Sequence, residues 1–120
     1  MKTKCIISQD EDIFKVCIKD ISNYFNNVNV EFVASKEQIL GVIDLVGIEV
    51  FVNKIITNLS TSFKLNYVEY LHATKHFIDN EDINVILDKH INNMLNDQNF
   101  IISEEHIKFI YDELKIFINS

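Results

Sequence analysis

The sequence predicts an all-α fold, a compact bundle of about five helices in antiparallel pairs. Three observations carry this expectation. Apolar side chains recur at helix pitch in several segments between Ile13 and Ile118. The chain of 120 residues has no proline and two glycines, which implies short connections between regular elements. Hydrophobic residues make up 48% of it, enough for a core of its own. The length fits one domain over residues 1–120.

The elements follow in chain order. Residues 10–25 place Ile13, Phe14, Cys17, Ile18, Ile21, Tyr24 and Phe25 on one helical face. Ser8 with Glu11 three positions on has the form of a capping box. Asp10, Glu11 and Asp12 would sit where a helix dipole favours acids. Residues 28–34 alternate instead, with Val28, Val30 and Phe32 against Asn29 and Glu31, as a strand or an extended link would.

Ser35 with Gln38 makes a second capping box. It opens an apolar stretch from Ile39 to Leu59, hydrophobic nearly all round, as befits the middle of a bundle. Gly41 and Gly47 within it allow a close crossing or a bend. Residues 66–78 carry Tyr67, Tyr70, Leu71, Thr74, Phe77 and Ile78 at helical spacing. Residues 81–96 carry Ile83, Ile86, Leu87, His90, Ile91, Met94 and Leu95 in the same way. Ser103 is a good N-cap for a last helix over 104–118, with Ile107, Ile110, Tyr111, Leu114, Phe117 and Ile118.

Composition limits the function. The net charge is -7, and all eleven basic residues are lysine. An acidic chain without arginine is a poor candidate for direct nucleic-acid binding. Two glycines exclude glycine-rich phosphate loops. No run approaches the roughly 18 apolar residues of a membrane span. The start is too short in apolar residues for a secretory signal, so a cytoplasmic location is expected. Cys5 and Cys17 show no metal spacing and read as small buried hydrophobes.

Candidate chemistry is sparse. His72 and His76 stand four apart on one helix face, a spacing that can bind zinc, but Lys75 occupies the place where a zincin pattern has glutamate. His90 falls on an apolar stripe, as a core histidine does, and His106 falls in the first turn of the last helix. Neither cysteine has a histidine near it in sequence, and no Gly-x-Ser-x-Gly element occurs. No cofactor, no metal and no enzymatic activity are expected. Asp88, Glu104, Glu105, Asp112 and Glu113 form an acidic surface, either plain solvated charge or a docking face for a basic protein.

The run from Ile102 to Leu114, Ile-Ser-Glu-Glu-His-Ile-Lys-Phe-Ile-Tyr-Asp-Glu-Leu, resembles the last helix of the PTS regulation domain of bacterial transcription regulators and antiterminators. In that family an apolar residue, a proline and acids open the helix, and an aromatic–aliphatic pair and a histidine follow. Ser103 stands for the proline, Glu104 and Glu105 for the acids, Phe109-Ile110 for the pair, and Glu113 at the histidine. The run from Gly47 to Lys54 can be laid on a second family pattern, with Gly47 at its histidine and Lys54 at its arginine.

The resemblance implies a stand-alone regulator of transcription linked to the sugar phosphotransferase system, with both phospho-acceptor histidines replaced. It implies a homodimer joined near 47–54 and 104–114, phosphotransferase-system proteins as partners, and a fixed charge at Glu113 where a phosphate would come and go. The contrasting expectation is a small acidic inhibitor, such as an immunity protein that neutralises a basic toxin by charge complementarity.

Overall fold

The computed structural model describes residues 3–21, 29–78, 80–96 and 102–120, the side chain of His76 excepted. These residues form three strands followed by four helices: β1 (Thr3–Gln9), β2 (Ile13–Asp20), β3 (Asn29–Ser35), α1 (Lys36–Val46), α2 (Ile48–Phe77), α3 (Glu81–Asn96) and α4 (Glu104–Ile118). The strands pair antiparallel in the order β1-β2-β3. The fold is therefore α+β, which corrects the expected all-α bundle of five helices.

The correction lies in residues 3–20. Ser8, read as a helix cap, faces Lys15 in the β1–β2 ladder. Asp10, Glu11 and Asp12 turn the hairpin: the Asp10 N–H donates to the Ile13 carbonyl at 2.9 Å, and the Asp10 carboxylate accepts the Glu11 N–H at 2.7 Å. From Phe14 on the chain alternates. Phe14, Val16 and Ile18 point inward with no exposed surface, while Lys15, Cys17 and Lys19 take the outer face. A short apolar run fits both the 3.6 and the 2.0 period, and the partner strand decides between them. Tyr24, Phe25 and Val28 lie outside the described residues. The alternation at 28–34 proves to be β3, and Cys17 pairs with Glu31 there.

Helices cover the inner face of the sheet. The predicted capping box at Ser35 is present, its hydroxyl accepting the Gln38 N–H at 3.2 Å while the Gln38 side chain accepts the Ser35 N–H at 3.0 Å. The apolar stretch after it is broken at Gly47, where φ is +86° and ψ 160°, a conformation that belongs almost only to glycine. Beyond it, α2 runs unbroken for 30 residues, joining segments the sequence reading kept apart. Phe51, Ile55, Leu59, Phe63, Tyr67 and Leu71, each four apart, form one buried line along it. Phe14 and Phe117 meet at 5.4 Å between ring centroids, tying β2 to α4. Phe32 and Phe51 meet edge-on at 5.9 Å, tying β3 to α2.

Burying each such side chain is worth about 1.5–3 kcal/mol. The molecule is nonetheless long, 54 × 23 × 21 Å, with a radius of gyration of 16.6 Å. A compact domain of this length would have about 13–14 Å.

Candidate functional site

The elongation comes from α2. At 1.5 Å per residue its 30 residues span about 45 Å, longer than the sheet it packs on. Its first half lies against β3, α1 and α4, and α3 folds back along its second half. The α2–α3 hairpin thus projects from the body.

A polar junction stands at its root. Asp20, at the end of β2, is 9% exposed. Tyr67 on α2 is 2% exposed, and burial, then the Asp20 charge, then Tyr70, push its hydroxyl pKa well above the usual tyrosine value. Tyr67 Oη lies 3.5 Å from His90 Nε2 of α3, and the two rings meet edge-to-face at 5.9 Å. His90 was expected as a core histidine. It is half-buried in this junction.

The Tyr67–His90 contact also identifies one side of the hairpin. Residues three, four and seven apart share a helix face. Tyr70 is three beyond Tyr67 and Phe77 seven beyond Tyr70, while Ile86 and Ile83 stand four and seven before His90. These four therefore line the Tyr67–His90 side. All are open to solvent: Tyr70 42%, Phe77 89%, Ile83 38% and Ile86 66% exposed. The Lys75–Asp88 ion pair, whose positions fall on the other sides of the two helices, bridges the opposite side. The result is a side of a projecting two-helix arm that exposes these four apolar residues, with Asp82 and Lys89, four before and three beyond Ile86, beside them.

The residues singled out in the sequence lie elsewhere. Gly47 forms the α1–α2 junction, and a Cβ there would meet nothing within 4 Å, so its backbone conformation is what calls for glycine. Glu113 is half-buried on α4, where its carboxylate accepts from Gln9 Nε2 at 2.8 Å, clamping α4 to β1. Glu104, Glu105 and Asp112 are exposed on α4. Lys108 stands four from both Glu104 and Asp112, and Lys115 three beyond Asp112, which dilutes the acidic field.

His72 is exposed, and the side chain of its expected zinc partner His76 lies outside the described residues. His106 completes the cap of α4, its Nδ1 accepting the Ser103 N–H at 3.4 Å. Among the described residues no three histidine, cysteine, aspartate or glutamate side chains gather as a metal site would need. No described helix is long and apolar enough to cross a membrane. Cys5 pairs with Ile18 and Cys17 with Ile6, so the thiols lie on opposite faces of the sheet and cannot bond to each other.

Among the described residues, concavities lie beside α2. One of about 420 Å³ is a shallow groove beside Val50, Lys54 and Asn58. Another, about 500 Å³, lies between Ser60, Lys64, Leu95, Ile102 and Ile107, with Lys64 as its ionisable group. Neither brings together groups that could share a proton or activate a nucleophile.

Compared with protein-family models, curated protein sequences and solved structures, the chain finds no match in any of the three. Fold and site together define an α+β domain that holds out a helical arm with an apolar face.

Helical spacing in the sequence puts Tyr70, Phe77, Ile83 and Ile86 on apolar helix faces, and the structure leaves those faces open to solvent. The signal for their exposure was the width of the stripe. A helix with a single neighbour covers a narrow band, whereas α3 carries apolar residues at 83, 86, 87, 91, 94 and 95.

Proposed function

We propose that this chain is an interaction domain that works by docking to a protein surface and does no chemistry of its own. The observation that carries the proposal is the apolar face formed by Tyr70, Phe77, Ile83 and Ile86 on the projecting hairpin. Contiguous exposed apolar surface of this kind marks a contact site more often than a catalytic one. The polar junction at its root has a structural use. It fixes α3 on α2 through Tyr67 and His90, and so holds the face in shape.

A role in transcriptional regulation through contact is compatible with such a domain. The link to sugar phosphotransferase signalling rests on the resemblance of two short runs to the PTS regulation domain. That resemblance presupposes an all-helical bundle, and the sheet of β1, β2 and β3 withdraws its support in the fold. The contrasting role, an acidic inhibitor of a basic protein, would use Glu104, Glu105 and Asp112, whose field is diluted by Lys108 and Lys115.

The test is site-specific photo-crosslinking in the source cells. A benzophenone amino acid at position 77 should give a discrete adduct on irradiation, and the same group at position 19, on the outer face of the sheet, should not. Equal smears from both positions, or no adduct from 77, would refute an interaction role for the hairpin.

A further inference from the structure

We infer that the partner of the hairpin face is a second copy of this chain, so that two α2–α3 hairpins stack face to face as an antiparallel four-helix bundle. This rests on the interaction reading above and names its partner and surface.

The body of the molecule is layered: helices lie on a sheet, and the buried line of α2 from Phe51 to Phe63 has neighbours on several sides. Beyond Tyr67, α3 is the main neighbour of α2, yet both helices keep apolar stripes wide enough for two neighbours. A two-helix layer is half of the smallest common helical architecture, and a second hairpin supplies the missing layer.

The exposed fractions of Tyr70, Phe77, Ile83 and Ile86 amount to on the order of 400–500 Å² of side-chain surface, taking about 200 Å² for each side chain. A stable interface buries about 800 Å² per partner, of which roughly 60% is apolar. The face supplies about the apolar share that one side of such an interface needs. Self-contact doubles it without asking for any second surface, as an isologous two-fold interface does.

The chain carries 18 acids against 11 lysines. Two copies meeting through most of its surface would bring like charges together. The four apolar residues of the hairpin face carry no charge, and Asp82 and Lys89, four before and three beyond Ile86, put one acid and one lysine beside them, so two such faces approach at less cost than most of the surface would impose. A basic partner would gain little there, because Asp82 is the one acid this register puts on the face and Lys89 offsets it. The inferred interface is distinct from the 47–54 and 104–114 segments that the family resemblance assigns to dimerisation.

Analytical ultracentrifugation of the purified chain tests this. The wild type should sediment as a dimer at micromolar concentration, and equally so in low and high salt, since the contact is apolar. The variants Phe77→Asp and Ile86→Asp should be monomers with unchanged circular dichroism, while Leu45→Asp, on an exposed position of α1, should remain a dimer. A monomeric wild type at high concentration, or a dimer that survives both hairpin substitutions, would overturn the inference.

A variant-free measurement runs beside it. On dilution of labelled wild type, the Ile83 and Ile86 methyl resonances should shift, and those of exposed Ile6 and Ile116 should not. Shifts confined to Ile6 and Ile116 would overturn it equally. If position 77 crosslinks only to a different protein, the interaction role stands and the second copy is excluded.

Discussion

Tyr67 of α2 and His90 of α3 meet across the hairpin with their rings edge-to-face at 5.9 Å and the hydroxyl 3.5 Å from Nε2. The pair stands 23 residues apart in sequence. It sits between the buried Asp20 at the end of the sheet and the solvent-facing stripe of the arm, so it couples the orientation of α3 to the body. Removing the hydroxyl leaves polar groups at the junction short of a partner, at a cost of about 1–2 kcal/mol. Tyr67→Phe should lower the urea midpoint accordingly. In a double-mutant cycle with His90→Leu, the two effects should fall short of additivity by at least about 0.5 kcal/mol. Strict additivity would show that the two side chains do not act together.

The two glycines should respond in opposite senses to alanine. At Gly47 the φ of +86° with ψ 160° excludes other residues on backbone grounds, although the space beside it is empty. Gly47→Ala should destabilise by about 1–3 kcal/mol. Gly41 lies inside α1, with nothing within 4 Å of an added Cβ. Gly41→Ala should stabilise by about 0.5–1 kcal/mol, because alanine has less backbone freedom to lose on entering a helix. Thermal melts of the two variants check both signs, and a destabilised Gly41→Ala would argue against a regular α1.

Alkaline pH should weaken the fold through Cys5. Burial first, and then the neighbouring Cys17, push its thiol from 9.0 up to about 11. Below the unfolded value both states keep the proton, and the thiol adds no pH dependence. Above it the unfolded chain gives up its proton first, so rising pH draws the equilibrium toward the unfolded state until the folded thiol also ionises. The urea midpoint should therefore fall between about pH 9 and pH 11, and fall less in Cys5→Ser. Cys17 is raised too, by burial ahead of Glu31, so part of the decline should persist in that variant. A midpoint that holds or rises over this range would contradict the placement of Cys5 on the covered face of the sheet.

The helical half of the fold was legible in the sequence, and of the sheet only the alternation that becomes β3 was. Glu81–Asn96 and Glu104–Ile118 emerge from apolar period and caps alone, because each stripe is long enough to exclude a period of two. The first 20 residues mislead for a physical reason. Ile13, Phe14, Cys17 and Ile18 satisfy a helix face, and Asp10-Glu11-Asp12 satisfies a helix N-terminus as well as a hairpin turn. What decides is the pairing of Val16 with Ile7 and Phe32, a non-local fact.

The single α2 was hidden by the polar run from Thr57 to Thr61, which looks like a loop until Leu59 and Phe63 are seen to continue the four-residue line. The hairpin face was visible as residues but not as a surface, since an apolar stripe does not say how many neighbours it will have.

Where two copies meet can be measured directly. In a Cys5→Ser, Cys17→Ser background, a spin label at position 80, in the α2–α3 connection, and a second at position 8, on the outer face of the sheet, allow distances between copies to be measured by pulsed electron paramagnetic resonance. The account predicts a narrow inter-copy distance from the hairpin label that disappears when Ile86→Asp is added, and a longer or undetected one from the sheet label. No dipolar coupling from position 80, or a closer approach at position 8, would contradict it.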